Sequence, residues 1–210
     1  MENIETIIAR ELLDIHAITL RPNEPFTWAS GWKSPIYCDN RKTLSFVKTR
    51  NLVKESFVHL LKDRIEGIDV IAGVATGAIP QGALVADYFK LPFVYVRSTP
   101  KDHGMCNLVE GEVKEGERVV VIEDLISTGK SSLNAVKALR EKGCIVEDMF
   151  AVFTYGFSVA SDAFSKEGVN LTTLTNYNAV LEESLRRKEI TEEQIQTLRE
   201  WRKDPANWRK

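Results

Sequence analysis

Apolar residues recur at helical spacing at the head of the chain, where Ile4, Ile7, Ile8, Leu12 and Ile15 share one face, so the pattern predicts an opening amphipathic helix. The periodicity then breaks. From Pro25 to Tyr37 the chain reads Pro-Phe-Thr-Trp-Ala-Ser-Gly-Trp-Lys-Ser-Pro-Ile-Tyr, too densely punctuated by Pro and Gly for a long helix, and loops with short strands are expected. Val53, Phe57, Leu60 and Leu61 mark a second helix. From residue 68 onward, short apolar runs alternate with helical stretches. Strands are predicted at Asp69–Gly73, Phe93–Arg97, Arg118–Glu123 and Met149–Thr154. Helices fit between them at Ile79–Phe89 and Ser131–Lys142, the second with Leu133, Val136 and Leu139 on one face and Gly143 as its stop. Such alternation predicts βαβ units and a parallel sheet, an α/β fold whose ligands sit beyond the C-terminal strand ends. The tail is again helical, with a capping box at Thr191-Glu192-Glu193-Gln194 followed by Ile195, Leu198 and Trp201 on one face.

With 210 residues the chain can bury one sizeable core, so a single domain over residues 1–210 is expected. The aromatic N-terminal segment, up to residue 45, and the helical tail from residue 177 are expected to pack on that core as a small hood. Charge sharpens the picture by exclusion. Lys and Arg number 28 against 30 Asp and Glu, a net charge of −2, and no basic tail or acidic tract stands out. Neither a nucleic-acid partner nor disorder is indicated. The three cysteines, Cys38, Cys106 and Cys144, are far apart and odd in number, which argues for reduced thiols rather than a disulfide frame or a zinc site. No signal-like layout opens the sequence and no apolar run is long enough to span a bilayer, so a cytoplasmic protein without a membrane partner is expected.

The strongest chemical signal is Val119-Val120-Val121-Ile122-Glu123-Asp124-Leu125-Ile126-Ser127-Thr128-Gly129-Lys130-Ser131. A buried strand ends at two acids, and a small polar loop and a helix start follow. Loop amides and the helix N-terminus favour a phosphate, and Ser127, Thr128 and Ser131 can add hydroxyl donors. Two carboxylates before a phosphate cradle make sense if the ligand also carries vicinal hydroxyls. Glu123 and Asp124 then accept from a ribose, and Asp124 can stabilise positive charge developing on the ribose carbon. Gly129-Lys130-Ser131 resembles the end of a Walker A loop, but Asp124 stands where that motif requires Gly.

Two further segments invite a chemical reading. Residues 97–111 form a polar, aperiodic stretch that concentrates Arg97, Lys101 and His103, cations able to close over a departing pyrophosphate; a solvated surface loop is the other reading. Gly73-Val74-Ala75-Thr76-Gly77-Ala78-Ile79-Pro80 offers backbone amides to an anion, or is simply a tight strand-to-helix turn.

The string from Val119 to Ser131 resembles the phosphoribosyl diphosphate signature of type I phosphoribosyltransferases. Arg97-x-x-x-Lys101-x-His103-Gly104 resembles the catalytic loop of the orotate phosphoribosyltransferases, and Phe26 through Pro35 resembles their N-terminal hood. The resemblance spans nearly the whole chain. It implies a twisted, mainly parallel sheet flanked by helices with a small hood, and transfer of a phosphoribosyl group from 5-phosphoribosyl 1-diphosphate to orotate, giving orotidine 5'-phosphate and pyrophosphate in pyrimidine synthesis. It implies Mg²⁺ as cofactor, with substrate oxygens and waters as most of its ligands and no side-chain cage. It also implies a homodimer in which each catalytic loop reaches the neighbouring subunit's site. Carried over by position, Lys101, His103 and Asp124 would be catalytic. Arg97, Lys101, His103 and the run Glu123, Asp124, Leu125, Ile126, Ser127, Thr128, Gly129, Lys130, Ser131 would bind phosphoribosyl diphosphate, and Ser127 would also meet orotate. The chain departs from some members at Ala29, Gly77 and Tyr155, where they carry basic residues, and at Ser98, where they carry a further lysine. Two other readings stand beside this one: transfer to a different base, and a regulator that senses phosphoribosyl diphosphate.

Overall fold

The computed structural model of the chain describes residues 3–28, 31–98 and 108–209. The opening helix α1 (Ile4–Asp14) starts where Asn3 accepts the Glu5 amide, and it buries Ile8, Ala9, Leu12 and Leu13. Four short strands follow: β1 (Ile18–Leu20), β2 (Phe26–Thr27), β3 (Lys33–Ser34) and β4 (Ile36–Cys38). They form two antiparallel pairs, β1 with β4 and β2 with β3. A 3₁₀ helix (Asn40–Ser45) leads into α2 (Val47–Leu61).

The core is βαβ-wound. In chain order come β5 (Val70–Val74), α3 (Ile79–Phe89), β6 (Phe93–Val96), β7 (Val109–Glu110), β8 (Arg118–Ile126), α4 (Lys130–Arg140), β9 (Ile145–Thr154), α5 (Ser158–Glu167) and β10 (Asn170–Asn176), followed by α6 (Tyr177–Arg186) and α7 (Glu192–Lys203). One six-stranded sheet holds them in the order β10-β9-β8-β5-β6-β7, with every pairing parallel except that of β7 with β6. Both faces are covered, so the central strands are apolar over most of their length. Ile71, Val120, Ile122 and Phe150 face one core with α1, α2, α3, α6 and α7, while Ala72, Val119, Val121 and Met149 face a second core with α4 and α5. The α/β expectation is met.

Two strands run longer than the sequence pattern predicts. The apolar run after Arg118 stops at Glu123, yet β8 continues to Ile126. Its neighbour β5 stops pairing at Gly73 opposite Ile122, whereas β9 continues beside it, with Leu125 opposite Phe153 and Ile126 opposite Thr154. The acids therefore lie inside the strand on its β9 side and beyond the strand end on its β5 side. Pairing, which a periodicity rule does not see, decides where a strand ends.

The tail is tied down as its pattern implied. The Thr191 hydroxyl accepts the Gln194 amide at 3.2 Å while the Gln194 side chain accepts the Thr191 amide at 2.9 Å, completing the capping box. Trp201, fully buried on α7, donates its indole N–H to the Lys33 carbonyl at 3.1 Å, and Arg209 donates to the Pro22 carbonyl at 3.1 Å. The tail and the two antiparallel strand pairs thus form one cover over the C-terminal edge of the sheet.

Candidate active site

In this strand order the chain leaves β5 toward β6 on one side and β8 toward β9 on the other. The gap between β5 and β8 is the topological switch point, where a crevice opens beyond the strand ends. It is lined by Val74 at the end of β5, by Ala75, Thr76 and Gly77 after it, and by Glu123, Asp124, Leu125, Ser127, Thr128, Gly129 and Ser131 from β8 onward, around a cavity of about 250 Å³. Gly129 adopts φ +79° at the start of α4, and a Cβ there would press on the Phe164 ring, so the loop's tight entry into the helix depends on glycine. The α4 N-terminus thereby delivers its free amides to the cavity.

The two acids have different surroundings. Glu123 is 4% exposed, and both its oxygens are engaged: Oε1 accepts the Asp124 backbone N–H at 2.9 Å and Oε2 accepts the Ser132 hydroxyl at 2.7 Å. Burial, then the Asp124 charge, pushes the Glu123 carboxyl well above the usual carboxylate range, with the Ser132 bond pulling the other way. Asp124 is half-buried and turned toward the β5 loop. A Cβ at Gly77 would overlap the Asp124 carboxylate, so any side chain at that position requires the carboxylate to move. This bears on one departure noted above: a lysine at 77 would need this aspartate to adopt another position. The β5 loop includes a cis peptide between Ala75 and Thr76.

Asn40 holds the other side of the acid pair. It is buried, and it donates from Nδ2 to the Asp124 carbonyl at 2.5 Å while its Oδ1 accepts the Cys38 thiol at 3.4 Å. Neither Asn40 nor Ser132 carried a signal in the sequence. Asn40 falls in an irregular segment, and Ser132 lies just past the motif and reads as an ordinary first-turn helix residue.

A second cavity, of about 420 Å³, adjoins the first and is lined by Thr27, Trp28, Tyr37, Cys38, Leu125, Ser127 and Tyr155. Leu125 and Ser127 line both, so the two cavities share a floor. Its wall is aromatic. Trp28 lies 5.5 Å from Tyr155 and 5.7 Å from Trp201, and Tyr155 stacks on Phe157 at 5.4 Å. Burial, more than the nearby Cys38 and tyrosines, pushes the Tyr155 phenol well above its usual range, and burial, with Asp124 and Asp39 adding to it, does the same to the Cys38 thiol. Both groups are neutral at ordinary pH.

The remaining sequence candidates divide. Ile126 is fully buried in the core under α4 and does not line the cavity. Lys130 is exposed and Ser131 lines the cavity. Arg97 stands at the end of β6, bonded to Glu110 at 3.4 Å, and with Ser98, Leu108, Asn134 and Lys137 it lines a further cavity that meets the first at Val74, Ala75 and Ser131. Lys101 and His103 lie outside the described residues.

Comparison with known proteins agrees with this geometry. Residues 49–154 match the family model of the phosphoribosyl transferase domain. The orotate phosphoribosyltransferase of Bacteroides thetaiotaomicron is 62% identical over 208 residues, covering 99% of this chain and 98% of that one. Among solved structures, the orotate phosphoribosyltransferase of Aeropyrum pernix superposes with a TM-score of 0.75 at 28% identity, covering 84% of this chain and 97% of that chain. The UMP synthase of Leishmania donovani superposes with a TM-score of 0.77 at 27% identity over 94% of this chain, which spans only 42% of that longer protein. A polar crevice at the switch point, an aromatic cavity sharing its floor and near-full-length likeness to one set of enzymes lead to the same place: the chain belongs to the orotate phosphoribosyltransferases.

Proposed function

We propose that the protein joins N1 of orotate to the anomeric carbon of 5-phosphoribosyl 1-diphosphate, with inversion at that carbon, breaking its bond to pyrophosphate. One observation carries the reading in detail: two cavities of opposite character share the floor made by Leu125 and Ser127. The polar one suits a phosphoribosyl group and the aromatic one a flat base, so the new bond forms above the shared floor. The amides and hydroxyls of Ser127–Ser131 receive the 5-phosphate, and Asp124 accepts from the ribose hydroxyls and faces the charge that develops as pyrophosphate departs. Glu123, already bonded on both oxygens, keeps Asp124 and the loop in register and offers its remaining lone pairs to the ribose. Arg97, Lys101 and His103 neutralise the leaving pyrophosphate.

The residues fit a Mg²⁺ ion carried by the substrate: Asp124 turns its carboxylate to the cavity and would face the ion, which would take most of its ligands from substrate oxygens and water. When bound, the ion supplies charge neutralisation for the pyrophosphate.

A base panel tests the assignment. Orotate, uracil, adenine, guanine and hypoxanthine are each supplied with phosphoribosyl diphosphate and Mg²⁺, and orotate is expected to give product. Product from another base with none from orotate ends the specific assignment and leaves the superfamily intact.

The site is shared between two subunits in this proposal, each lending Lys101 and His103 to the other. Mixing inactive Lys101→Ala and Asp124→Ala chains under random exchange gives one intact site in half of the dimers, so activity returns to roughly a quarter of wild type. Proven exchange without recovery would place Lys101 in its own subunit's site.

A further inference from the structure

Orotate differs from uracil by one carboxylate, ionised at neutral pH. An ionised group in a water-poor aromatic site needs a charged or strongly hydrogen-bonding partner. Among the described residues, none of the side chains lining the aromatic cavity is a cation. A cationic partner among the described residues therefore reaches in from its rim, and the cations around the hood are not equally free to do so. Arg41 is held by both oxygens of Asp39, at 2.6 and 2.9 Å. Arg202 donates to the Asn178 side chain at 2.9 Å and lies over the Tyr177 ring. Arg21 lies over the Phe26 ring. Lys33 is different: its ammonium donates at 2.8 Å to the hydroxyl of Thr27, a neutral group that itself lines the cavity. Among the described residues no carboxylate pairs with it.

The backbone explains this placement. Thr27 and Lys33 are directly opposite in the β2–β3 pair, so their side chains leave the hairpin on the same face. The strand under Lys33 is pinned, because its carbonyl accepts the Trp201 indole and the next residue, Ser34, is fully buried. A fixed backbone with an exposed, four-carbon stem lets the ammonium move from the Thr27 hydroxyl to an anion at the cavity mouth without disturbing the fold.

We propose that Lys33, seated on Thr27, is the residue that recognises the carboxylate of the base and so selects orotate over uracil. The inference rests on reading the aromatic cavity as the base site. The test compares wild type with Lys33→Gln, using orotate as substrate and its neutral amide, orotamide, as a competitive inhibitor of the same shape. Loss of one charge-assisted contact is expected to raise the KM for orotate by about tenfold or more, while the inhibition constant for orotamide changes by less than about twofold. The KM for phosphoribosyl diphosphate and the melting temperature should hold. An unchanged KM for orotate overturns the assignment of Lys33, as does equal weakening of orotate and orotamide, which would mark a structural role. A wild-type enzyme that makes no product from orotate but does so from another base overturns the base assignment itself, before the variant is compared.

Discussion

The two halves of the crevice are built in opposite ways. The polar half comes from one continuous stretch, Glu123 to Ser131, plus the last residue of β5 and the three that follow it; backbone amides and two neighbouring acids supply its chemistry. The aromatic half draws on the hood hairpins, the end of β8, Tyr155 after β9, and Trp201 behind them on α7, residues that lie far apart in the chain. A phosphate is recognised by geometry that one strand–loop–helix can create alone, since helix N-termini and tight loops point their N–H groups together. A flat base needs walls on several sides, and these come only from packing separate segments against one another. The first half should therefore fail through single local changes, and the second through loss of any one wall.

The largest effect is expected at Asp124. Asp124→Asn keeps shape and removes the charge that faces the ribosyl centre, which should cost on the order of a hundredfold to a thousandfold in kcat with the melting temperature preserved. Near-normal turnover would make the acid pair structural. Next is Gly77→Ala, whose methyl group collides with the Asp124 carboxylate. Displacing a reacting group by a fraction of its size costs up to about a hundredfold, so kcat/KM should fall roughly tenfold to a hundredfold. Activity at the wild-type level would mean that the β5 loop yields freely.

In the aromatic half, Trp28→Ala removes one wall. Stacking of a base on an aromatic ring contributes about 1–3 kcal/mol, so the KM for orotate should rise by about tenfold with that for phosphoribosyl diphosphate unchanged. Equal rises in both constants would show that the two cavities do not act separately.

The smallest effect concerns stability. The folded state raises the Glu123 pKa, so its contribution to stability is full at pH values below the ordinary carboxylate pKa and is lost as pH rises through the raised value. Glu123→Gln escapes that loss while its amide oxygen accepts the Asp124 N–H and its NH2 donates to the Ser132 hydroxyl. Its melting temperature should exceed that of wild type by a few degrees at high pH, with the gap closing in acid, even though activity falls. A gap that does not vary with pH would show that charge burial is not its source.

Motif chemistry and wall-building chemistry were not equally visible in the sequence. The run of apolar β-branched residues, the adjacent acids and the small loop announced a strand, a polar loop suited to phosphate and a helix start, because each depends on neighbours within a few positions. Alternating apolar runs likewise announced a parallel α/β sheet, and Thr191 with Gln194 announced the cap of α7. Even so, the strand ended later than its hydrophobic run implied, because the length of β9 prolongs it.

What only the tertiary structure decided is which distant residues meet. Asn40 reaches the Asp124 carbonyl across 84 positions, Trp201 reaches Lys33 across 168, and Trp28 meets Tyr155 through the hood. Glu123 and Asp124, adjacent in sequence and alike in chemistry, became one buried carboxyl bonded on both oxygens and one facing the cavity. Successive residues of a strand point to opposite faces, and the neighbours on each face belong to the fold as a whole. Local sequence specifies what a segment can do; the partner it does it with is set by packing.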